Sequence, residues 1–254
     1  MHHLTLIQHP SFWIIKLNRP EVFNALNAAL IHEIREVAER TRSKESVRAL
    51  ILTGEGKAFC SGADLKSGIS DPDLGNVLRT TYNPMIMALR SLDIPVIGAI
   101  NGMAAGAGCS LALACDYVVA HEEAAFAELF VQIGLVPDAG STAFLVQSLG
   151  YHKAFELAST GRKVAVQEAK NLGIVSEIII AKDWESRLLE IGKEWSEKPT
   201  LALGLIKKGL QNAHLQSLEE TLLSEAEAQS QAGFSKDFAE GVRAFLEKRK
   251  PKFG

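Results

Sequence analysis

The segment that most constrains the fold of this chain is a run of small residues at 101–116, which reads NGMAAGAGCSLALACD. Glycines at 102, 106 and 108 permit backbone angles that are closed to other residues, and they let a ligand approach the main-chain N–H groups. Where such a run opens a helix, its first N–H groups have no partner within the helix and suit an anion or a developing oxyanion. The alternative is that the small side chains only let this helix pack closely against a sheet.

Strands and helices alternate through the first half of the chain. Asn27 precedes an amphipathic helix in which Glu33, Arg35 and Glu39 are predicted to face away from the core. Apolar, partly β-branched runs predict strands at 5–7, 13–17, 47–53, 95–100, 116–120 and 174–180. Helical spacing predicts helices at 74–92, 142–149, 151–159, 166–172, 183–195, 200–212, 218–231 and 238–248, and a polar loop is predicted at 66–73.

No linker rich in Pro, Gly or Ser divides the chain, and no long repeat is present. The alternation of strands and helices followed by helices alone predicts an α/β fold. We expect one α/β core at 1–195 and a helical C-terminal region at 196–254.

Composition narrows the possible function. The 254-residue chain is 47% hydrophobic and carries a formal net charge of −3, which disfavours binding to nucleic acid or to an anionic membrane surface. Cys60, Cys109 and Cys115 lack the spacing of a disulfide framework or zinc site, so we expect buried thiols in a reducing compartment. With no secretory leader and no apolar run long enough for a membrane span, the sequence predicts a soluble, cytoplasmic protein.

Several common site motifs are excluded. The dinucleotide-binding fingerprint that Gly106 and Gly108 suggest would need Gly or Ala at the position of Leu111. Neither the phosphate-binding G-x-x-x-x-G-K-[ST] nor the nucleophile elbow G-x-S-x-G occurs. The histidines share no spacing typical of metal ligands, so no metal site is predicted.

A second small-residue turn follows the strand predicted at 47–53 and contains Ala63. We expect the N–H groups of Ala63 and Ala107 to converge on one oxygen as an oxyanion hole, which stabilises negative charge as it develops. The sequences CSGADL at 60–65, NGMAAGAGC at 101–109 and LVPDAG at 135–140 together resemble the enoyl-CoA hydratase/isomerase, or crotonase, superfamily. The resemblance covers essentially the whole chain.

That resemblance implies a crotonase-like spiral of ββα units with a helical C-terminal trimerisation region. It also implies an acyl-CoA substrate whose thioester oxygen is held by Ala63 and Ala107, no cofactor beyond the CoA moiety, and a homotrimer or a hexamer made of two trimers. Other positions implied in substrate binding are Arg19, Val22, Gly62, Asp64, Leu65, Lys66, Gly106 and Phe130, together with Phe245 and Lys248, which in the family can reach the CoA of a neighbouring subunit.

The sequence departs from the hydratases of this superfamily at the acid residues. Hydratases carry two glutamates that activate water, and this chain has Ser110 and Phe130 at those positions. The resemblance instead implies that Asp138 is catalytic, because the isomerase and dehalogenase branches place an aspartate there, and apolar neighbours are expected to raise its pKa. The alternative is that Asp138 caps a helix beginning near Ala139. We expect Glu128 to be structural or solvated.

Within the superfamily the chain most resembles the phenylacetate-pathway isomerase branch, which converts ring-epoxidised phenylacetyl-CoA to an oxepin thioester and also shifts double bonds in enoyl-CoA chains. Ser141 and Ala143 differ from the usual residues of that branch. The leading hypothesis is an acyl-CoA isomerase of phenylacetate or fatty acid metabolism with a single catalytic aspartate. The alternatives are a weak enoyl-CoA hydratase, a dehalogenase-like enzyme with Asp138 as nucleophile, and a non-catalytic binding subunit.

Overall fold

A computed structural model describes residues 2–67 and 72–254, so part of the polar loop predicted at 66–73 lies outside the described residues. The strands are β1 (Leu4–Gln8), β2 (Phe12–Leu17), β3 (Ala49–Gly54), β4 (Ala58–Cys60), β5 (Val96–Ile100), β6 (Met103–Ala105), β7 (Tyr117–His121), β8 (Ala125–Ala127), β9 (Val164–Ala165) and β10 (Glu177–Ile179). The helices are α1 (Ala28–Arg42), α2 (Leu74–Val77), α3 (Asn83–Arg90), α4 (Ala107–Leu113), α5 (Ser141–Thr160), α6 (Val166–Asn171), α7 (Trp184–Ser196), α8 (Thr200–Asn212), α9 (Leu218–Gly233) and α10 (Lys236–Leu246).

The larger sheet has the strand order β1-β2-β3-β5-β7-β10. The β1–β2 pair is antiparallel and the remaining neighbours are parallel. Every residue of β3 and β5 is buried, as expected for parallel strands that are covered on both faces, and this explains why both read as continuous apolar runs. The predicted strands all occur, with ends that differ by a few residues.

A smaller sheet, with the order β4-β6-β8-β9, lies beside the first. Its strands have only two or three residues each. They are too short for a periodic pattern, so apolar spacing in the sequence does not predict them. The sheet matters because β4, β6 and β8 are mutually parallel neighbours, and their carboxyl ends therefore meet at one edge.

The helix predicted at 74–92 contains a break in its hydrogen-bonding pattern. Between α2 and α3 the chain forms a π-helical turn, Leu78–Tyr82, that ends at the buried Tyr82. Such turns are uncommon in proteins, and those that occur are often found at functional sites. The two helices predicted on either side of Gly150 correspond to α5, which is interrupted by non-helical angles at that glycine.

Helix α1 begins where predicted, since the Asn27 side chain accepts a hydrogen bond from the N–H of Leu30 at 2.9 Å. The prediction that Glu33 faces away from the core is wrong. Its carboxylate is buried and accepts hydrogen bonds from the N–H groups of His2, His3 and Leu4 at 2.7, 3.0 and 3.1 Å. The segment that leads into β1 packs over this part of α1 and buries Glu33. The helical spacing of apolar residues in α1 cannot predict a contact with a segment outside the helix.

The last three helices carry many exposed apolar side chains. These include Leu210, Leu218, Leu222, Phe234, Phe238, Phe245 and Leu246, each more than half exposed. An apolar surface of this extent on a single chain indicates a surface made for contact. The division into residues 1–195 and 196–254 stays a prediction.

Candidate active site

The candidate site begins at the edge where three parallel strands end. Cys60 of β4 is paired with Ala104 of β6, and Ala105 of β6 is paired with Ala127 of β8. The turn of Ala63 follows β4, the turn of Ala107 follows β6, and Glu128 directly follows β8. The pairing therefore brings three separate sequence segments to one place.

The turns after β4 and β6 touch through their glycines. A Cβ on Gly62, whose φ is +95°, would lie 2.8 Å from the carbonyl oxygen of Ala105 and 3.4 Å from the amide nitrogen of Ala107. A Cβ on Gly108 would lie only 2.3 Å from the carbonyl oxygen of Cys60. Both positions are closed to a larger residue, so these glycines are required for the contact between the two turns.

The amide groups of Ala63 and Ala107 are available as donors. In the part of the chain that the structure describes, neither N–H donates a hydrogen bond to another residue. Ala107 is the first residue of α4, and the residue before it, Gly106, has no side chain that caps the helix. Two unused N–H groups on touching turns form the arrangement expected of an oxyanion hole.

Asp138 lies in the turn before α5 and does not cap that helix. The residue at the N-cap is Gly140, and no side chain caps the helix, so the alternative that Asp138 serves as a helix cap is wrong. Ala139 has a φ of +50°, a conformation that costs energy for a residue with a side chain.

The carboxylate of Asp138 is in an unfavourable place for a negative charge. Burial, with a further contribution from the charge of Glu128, raises the pKa of Asp138 to about 6. Its Oδ1 atom is buried and has no hydrogen-bond partner among the described residues. A carboxyl group with these properties exchanges a proton readily near neutral pH.

Glu128 is buried as well, so the alternative that it is solvated is wrong. Its Oε1 accepts a hydrogen bond of 2.6 Å from the hydroxyl of Ser141. Its Oε2 is buried and unpartnered within the described residues. Burial raises the pKa of Glu128, although the hydrogen bonds from Ser141 and from the thiol of Cys109 oppose that rise.

Tyr82 faces the same site from the π-helical turn. Burial raises the pKa of its hydroxyl, and the negative charge of Asp138 and then those of Cys60 and Asp64 add to the effect. The sequence analysis missed Tyr82, because neither its neighbours nor its spacing distinguishes it from a core aromatic residue.

The positions of the two hydratase glutamates are filled by residues without a charge. Ser110 is fully buried, and its hydroxyl donates to the carbonyl of Gly106 at 3.4 Å. Phe130 is 7% exposed, and its Cζ would lie 4.0 Å from a Cβ on Gly106. Both side chains thus lie against the turn of Ala107, where they add packing but no acid or base.

Most residues predicted to hold CoA lie near the turn that contains Ala63. Arg19 forms an ion pair of 2.8 Å with Asp64, and the carbonyl of Val22 accepts a hydrogen bond from the hydroxyl of Ser61 at 3.2 Å. Leu65 and Lys66 are exposed in a short 3₁₀ turn directly after Asp64. These residues form one rim beside the touching turns, in which Leu65 and Lys66 are exposed and the paired side chains of Arg19 and Asp64 are largely buried.

Phe245 and Lys248 lie elsewhere, at the C-terminal end of the fold. Phe245 is 82% exposed on α10 and lines an apolar cavity with Phe238 and Phe253. Lys248 follows α10 and is exposed. One chain by itself therefore does not test their predicted role, which requires a neighbouring subunit.

Comparison with known proteins decides the family. The model of the family described as enoyl-CoA hydratase/isomerase matches residues 9–254. The chain belongs to the enoyl-CoA hydratase/isomerase family. The α/β crotonase-like fold and the superfamily resemblance predicted from the sequence are both confirmed.

Individual family members differ in their stated activities. The chain is 42% identical to a probable enoyl-CoA hydratase of Rhodobacter capsulatus, with 94% of this chain and 93% of that protein covered. It is 36% identical to the 1,2-epoxyphenylacetyl-CoA isomerase of Escherichia coli, with the same coverage of each chain. A crystal structure of enoyl-CoA hydratase from Bacillus anthracis superposes with a TM-score of 0.93 and 33% identity, covering 99% of each chain.

Membership of the family fixes the general chemistry. Enzymes of this family act on acyl-CoA thioesters, need no cofactor beyond the CoA of the substrate, and are typically trimeric. Within residues 2–67 and 72–254, no group of three or more His, Cys, Asp or Glu side chains is arranged to hold a metal ion. No helix in the described residues has the length and apolarity that crossing a membrane requires.

Proposed function

We propose that the protein is an acyl-CoA isomerase that uses Asp138 as its single catalytic acid/base. The observation that carries the proposal is the half-buried carboxyl group of Asp138. Its Oδ1 is buried without a hydrogen-bond partner among the described residues, and burial together with Glu128 raises its pKa to about 6. Ser110 and Phe130 occupy the positions where family hydratases have glutamates. One proton-exchanging group beside two free amide donors suits proton transfer between carbons.

The proposed reaction proceeds through an enolate. The N–H groups of Ala63 and Ala107 bind the thioester oxygen of a 3-enoyl-CoA, and the carboxylate of Asp138 takes a proton from the α carbon. The electron pair of the broken C–H bond moves toward the thioester oxygen, where the two amides stabilise it. Asp138 then returns the proton to the γ carbon, which leaves the double bond between the α and β carbons.

A ring-epoxide thioester is the second substrate class for the same residues. The identity of 36% to a 1,2-epoxyphenylacetyl-CoA isomerase supports it. In that reaction the C–C bond of the epoxide ring would break while both C–O bonds remain, and Asp138 would move a proton from the α carbon to the γ carbon of the enlarged ring, so that no atom is gained or lost. The oxyanion donors would keep the same role, since both substrates carry a thioester carbonyl.

We further propose that CoA binds along the rim next to Ala63 and that the enzyme works as a trimer or a hexamer. Arg19, Val22, Asp64, Leu65 and Lys66 would face the adenine and phosphates. The exposed apolar side chains of α8, α9 and α10 support an assembly through these helices. Phe245 and Lys248 would then contribute to the site of an adjacent subunit.

The test is a panel of CoA thioesters assayed with the wild type and with Asp138→Asn. The wild type is expected to isomerise trans-3-enoyl-CoA or the ring epoxide, and the variant to lose about 100- to 10,000-fold in kcat, which is the usual contribution of a general acid/base. The proposal is wrong if neither compound is a substrate of the wild type, or if the variant keeps full activity on one that is.

The two turns have a separate test with a matched control. In Gly108→Ala the new Cβ meets the backbone of Cys60, which must displace the amide of Ala107. We expect kcat to fall by about 100- to 1,000-fold, as on loss of an oxyanion-hole donor. Ser186→Ala, which changes a small exposed side chain of α7, should keep wild-type kcat. Equal rates for the two variants would refute the role of the turns.

Enoyl-CoA hydration is the second candidate. Two observations favour it, namely the second buried carboxyl group at Glu128 and the identity of 42% to a probable enoyl-CoA hydratase. Adding water needs a second acid/base that no single aspartate supplies. Hydration of trans-2-enoyl-CoA that is faster than isomerisation and is abolished by Glu128→Gln would favour the hydratase over the isomerase.

A further inference from the structure

Glu128 is anchored to the same turns that carry the oxyanion donors. It directly follows β8, whose last residue, Ala127, accepts a hydrogen bond of 2.9 Å from the N–H of Gly106. Gly106 is the residue before Ala107. The backbone at Glu128 is therefore fixed relative to the site by strand pairing and by this bond.

Ser141 joins Glu128 to the turn of Asp138. Its hydroxyl donates to Oε1 of Glu128 at 2.6 Å, while its backbone N–H donates to the carbonyl oxygen of Asp138 at 3.0 Å. Ser141 is fully buried, so water does not compete for either bond. One residue thus holds both the carboxylate of Glu128 and the backbone of Asp138.

Each of the two acids has one oxygen without a partner in the described residues, namely Oε2 of Glu128 and Oδ1 of Asp138. Buried carboxylate oxygens are normally hydrogen-bonded, and an exception calls for an explanation. The other titratable groups around the pair are Tyr82, which faces Asp138, and Cys109, which faces Glu128. Among the described residues, no Lys, Arg or His is a cause of the rise in pKa of either acid.

We propose that Glu128, held by Ser141, is a positioning residue that keeps Asp138 in place and acts on it through its charge. The proposal rests on the proposed function, since it gives Glu128 a purpose only if Asp138 moves protons. Glu128 need not touch the substrate. Its effect reaches the reaction through the charge and orientation of Asp138.

The physical cause is the cost of placing two negative charges close together away from water. An ionised Glu128 makes ionisation of Asp138 less favourable and so adds to the rise in pKa that burial causes. The hydroxyl of Ser141 stabilises the ionised form of Glu128. Because the two acids interact, their titration belongs to the pair. Removing the charge of Glu128 should therefore lower the pKa of Asp138.

The main experiment is the pH profile of kcat/KM for the wild type and Glu128→Gln. Asp138 must be ionised to accept a proton, so activity falls on the acid side of its pKa. The acid limb of the variant is expected to lie lower by about one pH unit, a shift typical of losing a nearby like charge. Glu33→Gln, which changes another buried glutamate, should leave the limb unmoved. An unmoved limb in folded Glu128→Gln overturns the proposal.

Ser141→Ala provides a second variant, because it keeps the charge of Glu128 but removes its donor. Protonation of Glu128 becomes easier, so the acid limb should move in the same direction by a smaller amount. A limb that moves to higher pH contradicts the proposal. Thermal unfolding of each variant at pH 8 shows whether it is folded.

A readout without substrate separates the two proposals. The carbon-13 signal of the Asp138 carboxyl group, assigned by its loss in Asp138→Asn, can be titrated in the wild type and in Glu128→Gln. A lower midpoint in the variant supports the role of Glu128 even if no isomerase substrate is found, in which case only the proposed function fails. Equal midpoints overturn the role of Glu128 whatever the enzyme catalyses.

Discussion

Carboxyl groups are buried in two regions of this protein, and the two regions shift their pKa values in opposite directions. At the first, Glu33 accepts hydrogen bonds from three backbone N–H groups. Burial alone would raise its pKa, but these donors outweigh burial and lower it. At the second, Glu128 and Asp138 each keep an unpartnered buried oxygen, and both have raised pKa values.

The difference separates structure from function. A carboxylate with all its hydrogen bonds made stabilises the fold and resists protonation, as Glu33 does. A carboxylate that lacks them costs free energy and is poised to exchange a proton. Burial by itself therefore does not distinguish a catalytic acid from a structural one. The buried oxygen of Asp138 without a hydrogen-bond partner is the feature that supports its proposed role.

The largest expected effect is on kcat, which should differ between a substitution of Asp138 and one of Glu33. Asp138→Asn should lose about 100- to 10,000-fold in kcat, whereas Glu33→Gln should stay within about twofold of the wild type because its carboxyl group serves only the fold. Both rates are measured at a temperature where both variants are folded. A large loss in Glu33→Gln under those conditions would end the distinction.

Substitution of Glu33 should affect the free energy of unfolding more than it affects the rate. Glu33→Ala leaves three backbone N–H groups without their acceptor, and we expect a loss of about 2 kcal/mol in the free energy of unfolding at pH 7. The stabilisation by Glu33 exists above the pKa it has when unfolded and disappears as pH falls through its lowered folded pKa. Urea unfolding of wild type and variant at pH 7 and at pH 3 measures both statements, and an equal difference at the two pH values would contradict them.

The smallest expected effect is a gain in stability for Asp138→Asn. The raised pKa of about 6 means that ionised Asp138 destabilises the folded protein above pH 6, and this cost vanishes below about pH 4, where the unfolded chain is protonated too. We expect the variant to be about 1 kcal/mol more stable at pH 8, with a gain that shrinks toward pH 4. A loss of stability at pH 8 would show that Asp138 has a structural role.

Local patterns were enough to predict the strands of the larger sheet and the two touching turns. Alternation of apolar runs located the strands of the larger sheet, and Asn27 marked the start of α1. The touching turns of Ala63 and Ala107 were predictable because glycine at Gly62 and Gly108 leaves a clear mark in the sequence. The smaller sheet was missed, since strands of two or three residues have no period to detect.

The acid half of the site was only partly predictable. Resemblance to the family identified Asp138, yet the expectation that Glu128 might be solvated and that Glu33 faces outward failed. Both residues read as ordinary polar positions on helical or extended segments. Their burial arises from chain segments distant in sequence, the entry into β1 for Glu33 and the start of α5 for Glu128.

The sequence alone predicted an α/β fold with two glycine-rich turns, because small residues and apolar periodicity act locally and need no knowledge of the rest of the fold. The crotonase type came from the resemblance of its motifs to that superfamily. The tertiary structure alone decided which carboxylates lose water and which of them find donors. A pKa depends on every group around the acid, whichever part of the chain supplies it. For this protein, that is the reason Asp138 and Glu128 differ from Glu33.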